Sequence, residues 1–264
     1  MDRTYWHKQT SDEPLFPELL WSRPENKRTA GKLLIIGGSA HGFAAPAEAY
    51  QEAQAAGIGS LRVALPAPLK STAGLLLDTV DYAPATPSGS FAKASLDTML
   101  ESATWADGIL VAGDLGRNSE TAVVLESLLE KTTVQPILTK DAIEYITSGP
   151  AKVVKRADTT LVLSLSQLQR LFIATKQTKA ISLSMDLLHL VDVLHDFTES
   201  YPIAIITRHL DQTFAATRGM VSTTPSTDSK EDFWRVKVAA HASVWLIQNP
   251  QKPFEAICTS LIQH

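Results

Sequence analysis

Hydrophobic and polar positions alternate along the middle of the chain in blocks of strand length and helix length. Five short apolar runs have the length and composition of buried strands. They are Leu33–Ile36, Leu61–Leu65, Ile109–Val111, Pro136–Leu138 and Thr160–Leu163. Helical segments lie between them, and the clearest runs from Ser119 to Lys131. Strands that alternate with helices indicate an α/β fold with a mostly parallel central sheet and helices on both faces.

After residue 180 the pattern predicts two helices, two strands and a long polar loop. In chain order these are the helix 184–200, the strands 202–207 and 212–217, the loop 222–230 and the helix 231–248. Ser184 or Asp186 is placed to begin the first helix. Asp228 or Ser229 is placed to cap the last long helix, and a short helix is expected after Pro253.

The first 30 residues are polar and contain proline, with a few large apolar side chains between. We interpret residues 1–30 as an N-terminal arm, with a short helix over 17–21, that packs on the body of the protein. Residues 31–264 are predicted to form a single α/β domain, because the chain length suits one and no Pro/Ser/Gly-rich linker divides it.

Composition narrows the class of protein. Hydrophobic residues make up 44% of the chain, the formal net charge is −4, and no apolar run reaches membrane-spanning length. With no apolar signal-peptide core at the N-terminus, these features predict a cytoplasmic protein that binds neither nucleic acid nor membrane. The single cysteine, Cys258, excludes an internal disulfide and is interpreted as a buried packing residue. His189, Asp192 and Asp196 share a helical face, which we interpret as solvated, so no metal site is predicted.

Residues 31–66 are the most informative stretch, since they predict a strand, a glycine-rich turn, a helix and a second strand. The turn is Gly37-Gly38-Ser39, and the helix over 45–56 is built almost entirely of small or helix-forming residues. Such a turn offers free N–H groups to an anion, so a ligand site is predicted at the carboxyl edge of the sheet. Neither the G-x-G-x-x-G dinucleotide fingerprint nor a G-x-x-x-x-G-K-[ST] phosphate loop occurs there.

Two stretches carry a family resemblance. The first is GGS-x-x-G-x-x-AP at residues 37–46, followed by AG-x-G at residues 56–59. The second is VAGDLGR at residues 111–117, where a strand ends in a tight turn before a helix. Together they resemble the ADP/ATP-dependent NAD(P)H-hydrate dehydratases, which belong to the ribokinase-like superfamily. The resemblance runs from about residue 24 to the end and is most specific in the first half.

The resemblance implies a ribokinase-like fold and an enzyme that uses ADP or ATP, with Mg²⁺ as a candidate companion ion. Such enzymes phosphorylate the hydroxyl of NAD(P)H hydrate and then eliminate phosphate. The implied substrate contacts are Gly38, Ser39, Ala45, Gly113, Gly116 and Asp141. The implied nucleotide contacts are Arg208, Ser226 and Thr227, and the implied general base is Asp228 or Asp232. Members of this family are often oligomers, so a homo-oligomer is expected.

Three family motifs are altered in this chain. The anion hole G-[TS]-G-D, at the start of the last long helix, is replaced by residues 225–232, which contain no glycine. The motif T-P-H-P-G-E is replaced by residues 163–167, which contain no histidine, and the motif K-G by Arg208-His209. A second hypothesis is therefore a catalytically inactive relative that binds a nucleotide or a protein partner. A small-molecule kinase of the same superfamily is a third hypothesis.

Two aspartates at strand ends have alternative interpretations. Asp114 or Ala112 stands where the family motif has proline, and an acidic side chain there is expected to repel phosphate. Asp141 is the aspartate that remains of the family's D-A-D-A. It also suits the N-cap of a helix through Ile146.

Overall fold

The computed structural model describes residues 3–74, 77, 79–147, 149–226 and 233–262. Ten strands occur in these ranges and form one sheet. They are β1 (Trp6–Lys8), β2 (Lys32–Gly37), β3 (Ser60–Pro66), β4 (Val80–Ala83), β5 (Gly108–Gly113), β6 (Gln135–Thr139), β7 (Thr159–Ser164), β8 (Ile203–His209), β9 (Gln212–Thr217) and β10 (Met220–Pro225). The strand order is β1-β10-β9-β8-β7-β6-β5-β2-β3-β4.

Helices connect most of these strands. They are α1 (Pro17–Trp21), α2 (Ala44–Ala55), α3 (Lys70–Ala73), α4 (Ser95–Trp105), α5 (Ser119–Lys131), α6 (Ala142–Thr147), α7 (Pro150–Lys155), α8 (Leu165–Ala174), α9 (Leu187–Ser200), α10 (Trp234–Gln248) and α11 (Pro253–Ile262). Asp186 is the residue that begins α9, since its Oδ1 accepts a hydrogen bond from the His189 N–H at 2.8 Å. Ser184, the other candidate, lies before the helix. In the part of the chain that the structure describes, no helix is long and apolar enough to cross a membrane.

All strands from β4 through β2 to β8 run parallel, β9 and β10 follow as antiparallel hairpin strands, and β1 pairs parallel to β10 at the edge of the sheet. Helices α2, α10 and α11 cover one face, and α4, α5, α6, α8 and α9 cover the other. This confirms the predicted fold class, and the five predicted apolar runs are β2, β3, β5, β6 and β7. The carboxyl ends of the parallel strands consequently meet at one edge.

The predicted loop over 222–230 is wrong in its first part, because residues 222–225 belong to β10. Serine and threonine fill this strand, and its inner hydroxyls find partners. Thr223 Oγ1 accepts a hydrogen bond from the Trp6 indole at 3.1 Å, and Thr224 Oγ1 accepts one from Gln9 at 2.9 Å. Threonine is β-branched and favours strands, so a polar stretch is here a buried strand. Residues 227–232, where the rest of the predicted loop and the helix caps fall, lie outside the described residues.

The only cysteine packs behind the same strand. Cys258 is fully buried, its Sγ donates to Ser222 Oγ at 3.1 Å, and burial raises the pKa of the thiol to about 12. A thiol that stays protonated is a poor nucleophile, in agreement with a packing role.

The start of the chain docks on β10 and α9. β1 pairs parallel to β10, with Trp6 opposite Val221. Arg3 makes two hydrogen bonds to the Asp192 carboxylate at 2.6 and 2.9 Å, and Tyr5 makes a third at 2.6 Å. The Tyr5 ring also stacks on His195 with 3.7 Å between centroids. The face of α9 interpreted as solvated is therefore partly covered by this segment.

Asp192→Ala is expected to loosen residues 5–9 and little else. The Arg3 hydrogen bonds lower the pKa of Asp192 from its ordinary 3.8 to about 2. The stabilisation that the charged Asp192 contributes is therefore lost only as the pH falls from 3.8 through about 2. Hydrogen–deuterium exchange at neutral pH should show amides of residues 5–9 exchanging roughly tenfold faster in the variant. Asp196→Ala is the control, because Asp196 pairs with the exposed Lys179 instead. Equal effects of the two substitutions would contradict the assignment.

Candidate functional site

The ends of β2 and β5 touch at a pair of glycines. The Gly38 N–H donates to the Gly113 carbonyl oxygen at 2.9 Å. A Cβ on Gly37 would lie 2.5 Å from the same oxygen, so no other residue fits there without movement. Gly38 has φ +84°, and the following turn closes with reciprocal backbone hydrogen bonds between Ser39 and Gly42 at 2.9 and 3.0 Å. Backbone thus approaches backbone closely at the centre of the sheet edge.

Asp114 links three of the surrounding segments. Its φ of +59° turns the chain after β5, and its Oδ2 accepts the N–H of Ala45, in the first turn of α2, at 2.7 Å. Its Oδ1 lies 2.8 Å from Lys140 Nζ. Both side chains are less than a quarter exposed. The negative charge that was expected to repel phosphate is therefore paired with a lysine and with a helix N–H group.

Gly116 separates two cavities along this edge. The first, of about 680 Å³, is lined by Ser39, His41, Gly42, Phe43, Ala44, Ala47, Asp114 and Gly116. The second, of about 600 Å³, is lined by Gly116, Arg117, Asn118, Ser119, Asp141, Glu144, Tyr145 and Arg170. The Tyr145 hydroxyl donates to the Gly116 carbonyl oxygen and accepts the Asn118 N–H, which fixes the dividing turn. We refer to the two cavities together as the edge cleft.

Asp141 lines the second cavity of the edge cleft. Its Oδ2 accepts the Leu115 N–H at 2.9 Å, so the carboxylate holds the β5–α5 turn. Its Oδ1 is buried and has no hydrogen-bond partner among the described residues. Burial raises the pKa of this carboxyl above its ordinary value, despite the Leu115 hydrogen bond. In the described part of the chain the side chain bonds to this turn and makes no capping hydrogen bond to α6.

The six predicted substrate residues lie together. Ser39, Gly116 and Asp141 line the edge cleft, whereas Gly38, Gly113 and Ala45 lie directly behind it in the contacts described above. In the described ranges, no cluster of three or more His, Cys, Asp or Glu side chains is arranged to hold a metal ion.

The predicted nucleotide residues lie farther along the same edge, at the end of β8. Arg208 Nε donates to Thr213 Oγ1 at 3.1 Å, and the Thr213 and Ser226 hydroxyls are 3.0 Å apart. The guanidinium of Arg208 also lies 4.6 Å from the ring centroid of Trp234. Three further predicted site residues, Thr227, Asp228 and Asp232, lie outside the described residues.

The sequence did not predict a hydrogen-bond network that lies between the predicted substrate residues and the predicted nucleotide residues. Gln167 and Ser164 form a capping box at the start of α8. The Gln167 amide also donates to the Lys140 carbonyl oxygen at 2.8 Å and to Glu144 at 3.0 Å, and accepts from Arg235 at 2.7 Å. The S-x-x-Q spacing of residues 164–167 is a local signal for the cap. The contacts to Lys140 and Arg235 have no such signal, because they join residues far apart in the chain.

Comparison with known sequences gives one partial similarity. No protein-family model matches the chain. Over 123 residues, 46% of its length, the chain is 32% identical to the bifunctional NAD(P)H-hydrate repair enzyme Nnr of Salinibacter ruber. The matched segment spans 23% of that relative, or about a quarter of its length.

Solved structures show the fold. A ribokinase-like superfamily protein from Enterococcus faecalis superposes with a TM-score of 0.75 at 14% identity, covering 100% of this chain and 88% of that one. The ADP/ATP-dependent NAD(P)H-hydrate dehydratase from Bacillus subtilis, co-crystallised with ATP/Mg²⁺, gives 0.60 at 14% identity, covering 94% and 85%. The pyridoxal kinase from Staphylococcus aureus gives 0.51 at 17% identity, covering 87% and 84%. The chain has the ribokinase-like fold, and its structural relatives include the dehydratases it resembles.

Gly113→Ala is expected to destabilise the protein by about 1–3 kcal/mol. Gly113 has φ +110°, and a Cβ there would lie 2.7 Å from Asp141 Oδ1 and 2.8 Å from Lys140 Cβ. The free energy of unfolding in urea measures the effect. Gly149→Ala is the matched control, because a Cβ at Gly149 meets nothing within 4 Å; as the N-cap residue of α7 it should lose less than about 1 kcal/mol, and less than Gly113→Ala. Wild-type stability of Gly113→Ala would refute the close contact.

Asp141→Asn is expected to change how stability depends on pH. A carboxyl whose pKa is raised by folding stabilises the protein below its unfolded pKa and loses that contribution as pH rises through the folded pKa. The Asn variant should therefore gain stability relative to wild type as pH rises from below 4 toward 7. Urea unfolding at several pH values measures this gain, with the exposed Asp12→Asn as control. A constant difference across the range would show that Asp141 ionises as it does in the unfolded chain.

Proposed function

We propose that this protein transfers a phosphoryl group from ADP or ATP to a small hydroxylated substrate, and that this substrate is NAD(P)H hydrate. The observation that carries the proposal is the meeting of the six implied substrate residues around one cleft, although Gly38 and Asp141 come from distant parts of the chain. The edge cleft lies where ligands bind in open parallel sheets. The ribokinase-like fold and the similarity to repair enzymes support the same choice.

The edge cleft supplies the substrate side of the proposed reaction. Its first cavity is mostly apolar and is lined by Phe43, Ser39 and Gly116 among others, which suits a flat ring. Gly42 lines this cavity, and nothing lies within 4 Å of the position that its Cβ would take, so a substrate can lie close to the backbone there.

The β8 end supplies the nucleotide side, with Arg208, Ser226 and Thr227 as proposed contacts. The magnesium ion we assign comes with the nucleotide and is held by its phosphates, since the described residues offer no cluster of carboxylates for it.

The proposed chemistry has two steps. Asp228 or Asp232 takes the proton of the substrate hydroxyl. At the same time the hydroxyl oxygen of the substrate bonds to the terminal phosphorus of the nucleotide, and the bond from that phosphorus to the leaving nucleotide breaks. The carbon–oxygen bond then breaks, phosphate departs, and loss of a proton from the neighbouring carbon restores the double bond of the dihydronicotinamide. A homo-oligomer belongs to this proposal on the resemblance alone, and a cytoplasmic location on the composition of the chain.

A catalytically inactive binding protein is the second candidate. It is favoured by the pairing of Asp114 with Lys140 and the Ala45 N–H, which occupies polar groups that a bound anion would otherwise use. It is also favoured by the absence of glycine from residues 225–232 of the sequence.

Calorimetric titration with ADP and with ATP, each with Mg²⁺, tests the nucleotide part. The proposal expects dissociation constants in the micromolar range and nucleotide-dependent conversion of NADH hydrate to NADH, followed by absorbance. Absence of binding at millimolar nucleotide would overturn the proposal. Tight binding without conversion would favour the inactive candidate.

Asp228→Asn and Asp232→Asn identify the base. One of them should lower kcat by about 10²–10⁴-fold while ADP affinity stays within about twofold. Asp211→Asn, an exposed residue in the turn between β8 and β9, is the matched control. Full activity in both variants would rule out the assigned base.

A further inference from the structure

Three consecutive residues at the start of α10 reach three different connections at the carboxyl edge of the sheet. The pairs are Phe233 with Lys140 after β6, Arg235 with Gln167 after β7, and Trp234 with Arg208 at the end of β8. Since β6, β7 and β8 are neighbours in the sheet, three cations are gathered along one short stretch of the edge.

Two of these cations lie against aromatic rings. Lys140 Nζ is 5.1 Å from the centroid of Phe233, and the Arg208 guanidinium carbon is 4.6 Å from that of Trp234. A ring face attracts and positions a cation without cancelling its charge. Lys140 additionally contacts Asp114 at 2.8 Å. Moving its ammonium toward a phosphate would leave Asp114 held by the Ala45 N–H.

Arg235 differs from Lys140 because, among the described residues, its hydrogen-bond partner is not a carboxylate. It is half-buried, and within the described part of the chain its hydrogen-bond acceptor is the neutral amide oxygen of Gln167 at 2.7 Å. The nearby Glu144 is held by both terminal nitrogens of Arg170, at 2.6 and 2.7 Å. Burial lowers the pKa of Arg235, although Glu144 and Asp141 act in the opposite direction. A partly buried guanidinium whose hydrogen-bond partner is neutral gains most from the binding of an anion.

The spacing fits a chain of phosphates. Neighbouring strands lie about 4.8 Å apart, so the ends of β6 and β8 are about 10 Å apart, with Arg235 reaching the end of β7 between them. Arginine binds phosphate through two parallel hydrogen bonds, which a single backbone N–H group cannot do.

We propose that Arg235, assisted by Lys140, binds the terminal phosphate of the nucleotide and takes over the role of the family's glycine loop, since residues 225–232 of the sequence contain no glycine. The proposal rests on the proposed function, since it assumes that nucleotide binds at this edge. It assigns to a side chain of α10 a role that the altered family motif at residues 225–232 leaves without a residue.

Titration of the full chain and of Arg235→Met with MgADP and with AMP tests this role. The variant should bind ADP at least tenfold more weakly, while AMP affinity changes by less than about twofold, because the lost contact is to the terminal phosphate. Arg235→Lys, which keeps the charge, should recover part of the ADP affinity. Arg218→Met is the control, since Arg218 is an exposed arginine that pairs with Asp158 at the opposite end of the strands. Thermal unfolding checks that each variant is folded.

The outcomes separate this inference from the proposed function. Unchanged ADP affinity in Arg235→Met, or an equal loss for AMP, overturns the role of Arg235 while nucleotide binding by the wild type stands. A wild type that binds inorganic pyrophosphate in an Arg235-dependent way but binds no ADP supports the anion site and overturns the proposed function. A wild type that binds neither overturns both. If Arg235→Met does not fold, the test relies on Arg235→Lys. A ratio of ADP to AMP affinity in Arg235→Lys equal to that of the wild type would refute the bidentate contact.

Discussion

The close approach of β2 and β5 at their carboxyl ends is the constraint on which the rest of the site depends. Gly37 and Gly113 lie opposite each other where the register of the two strands shifts. That contact brings α2 against the β5–α5 turn, so the carboxylate of Asp114 can reach the Ala45 N–H. From there Lys140 and Gln167 extend the same set of contacts to β6 and β7. One backbone contact without side chains thus arranges a polar edge four strands wide.

The charged side chains along this edge differ in whether a group of opposite charge lies beside them. Asp114 with Lys140 and Glu144 with Arg170 are direct ion pairs. Among the described residues, one buried oxygen of Asp141 has no hydrogen-bond partner, and Arg235 hydrogen-bonds to a neutral amide. Buried groups left in that condition are costly to the fold. Natural proteins retain such costs mostly at functional sites, which is why these two residues matter more than the exposed pairs.

Local signals in the sequence account for much of the fold and for half of the site. Apolar runs predicted β2, β3, β5, β6 and β7, and small residues after a strand predicted the turn at Gly38. The strand β10 was missed because its hydroxyl side chains are satisfied by Trp6 and Gln9 from the other end of the chain. Arg235 was missed for a similar reason, since its partner Gln167 is 68 residues away. Pairing over such distances leaves no periodic pattern in a sequence.

The pairing of β1 with β10 has a consequence for how the chain folds during synthesis. Residues 6–8 complete the sheet by hydrogen bonding to residues 221–223, more than two hundred positions later. Residues 6–8 must therefore stay unpaired until residues 221–223 have been made. Domains fold as units during translation, and contacts between distant residues form late because closing the loop costs entropy. The strand β1 is therefore expected to join the edge of the sheet late in folding, after β10 has formed.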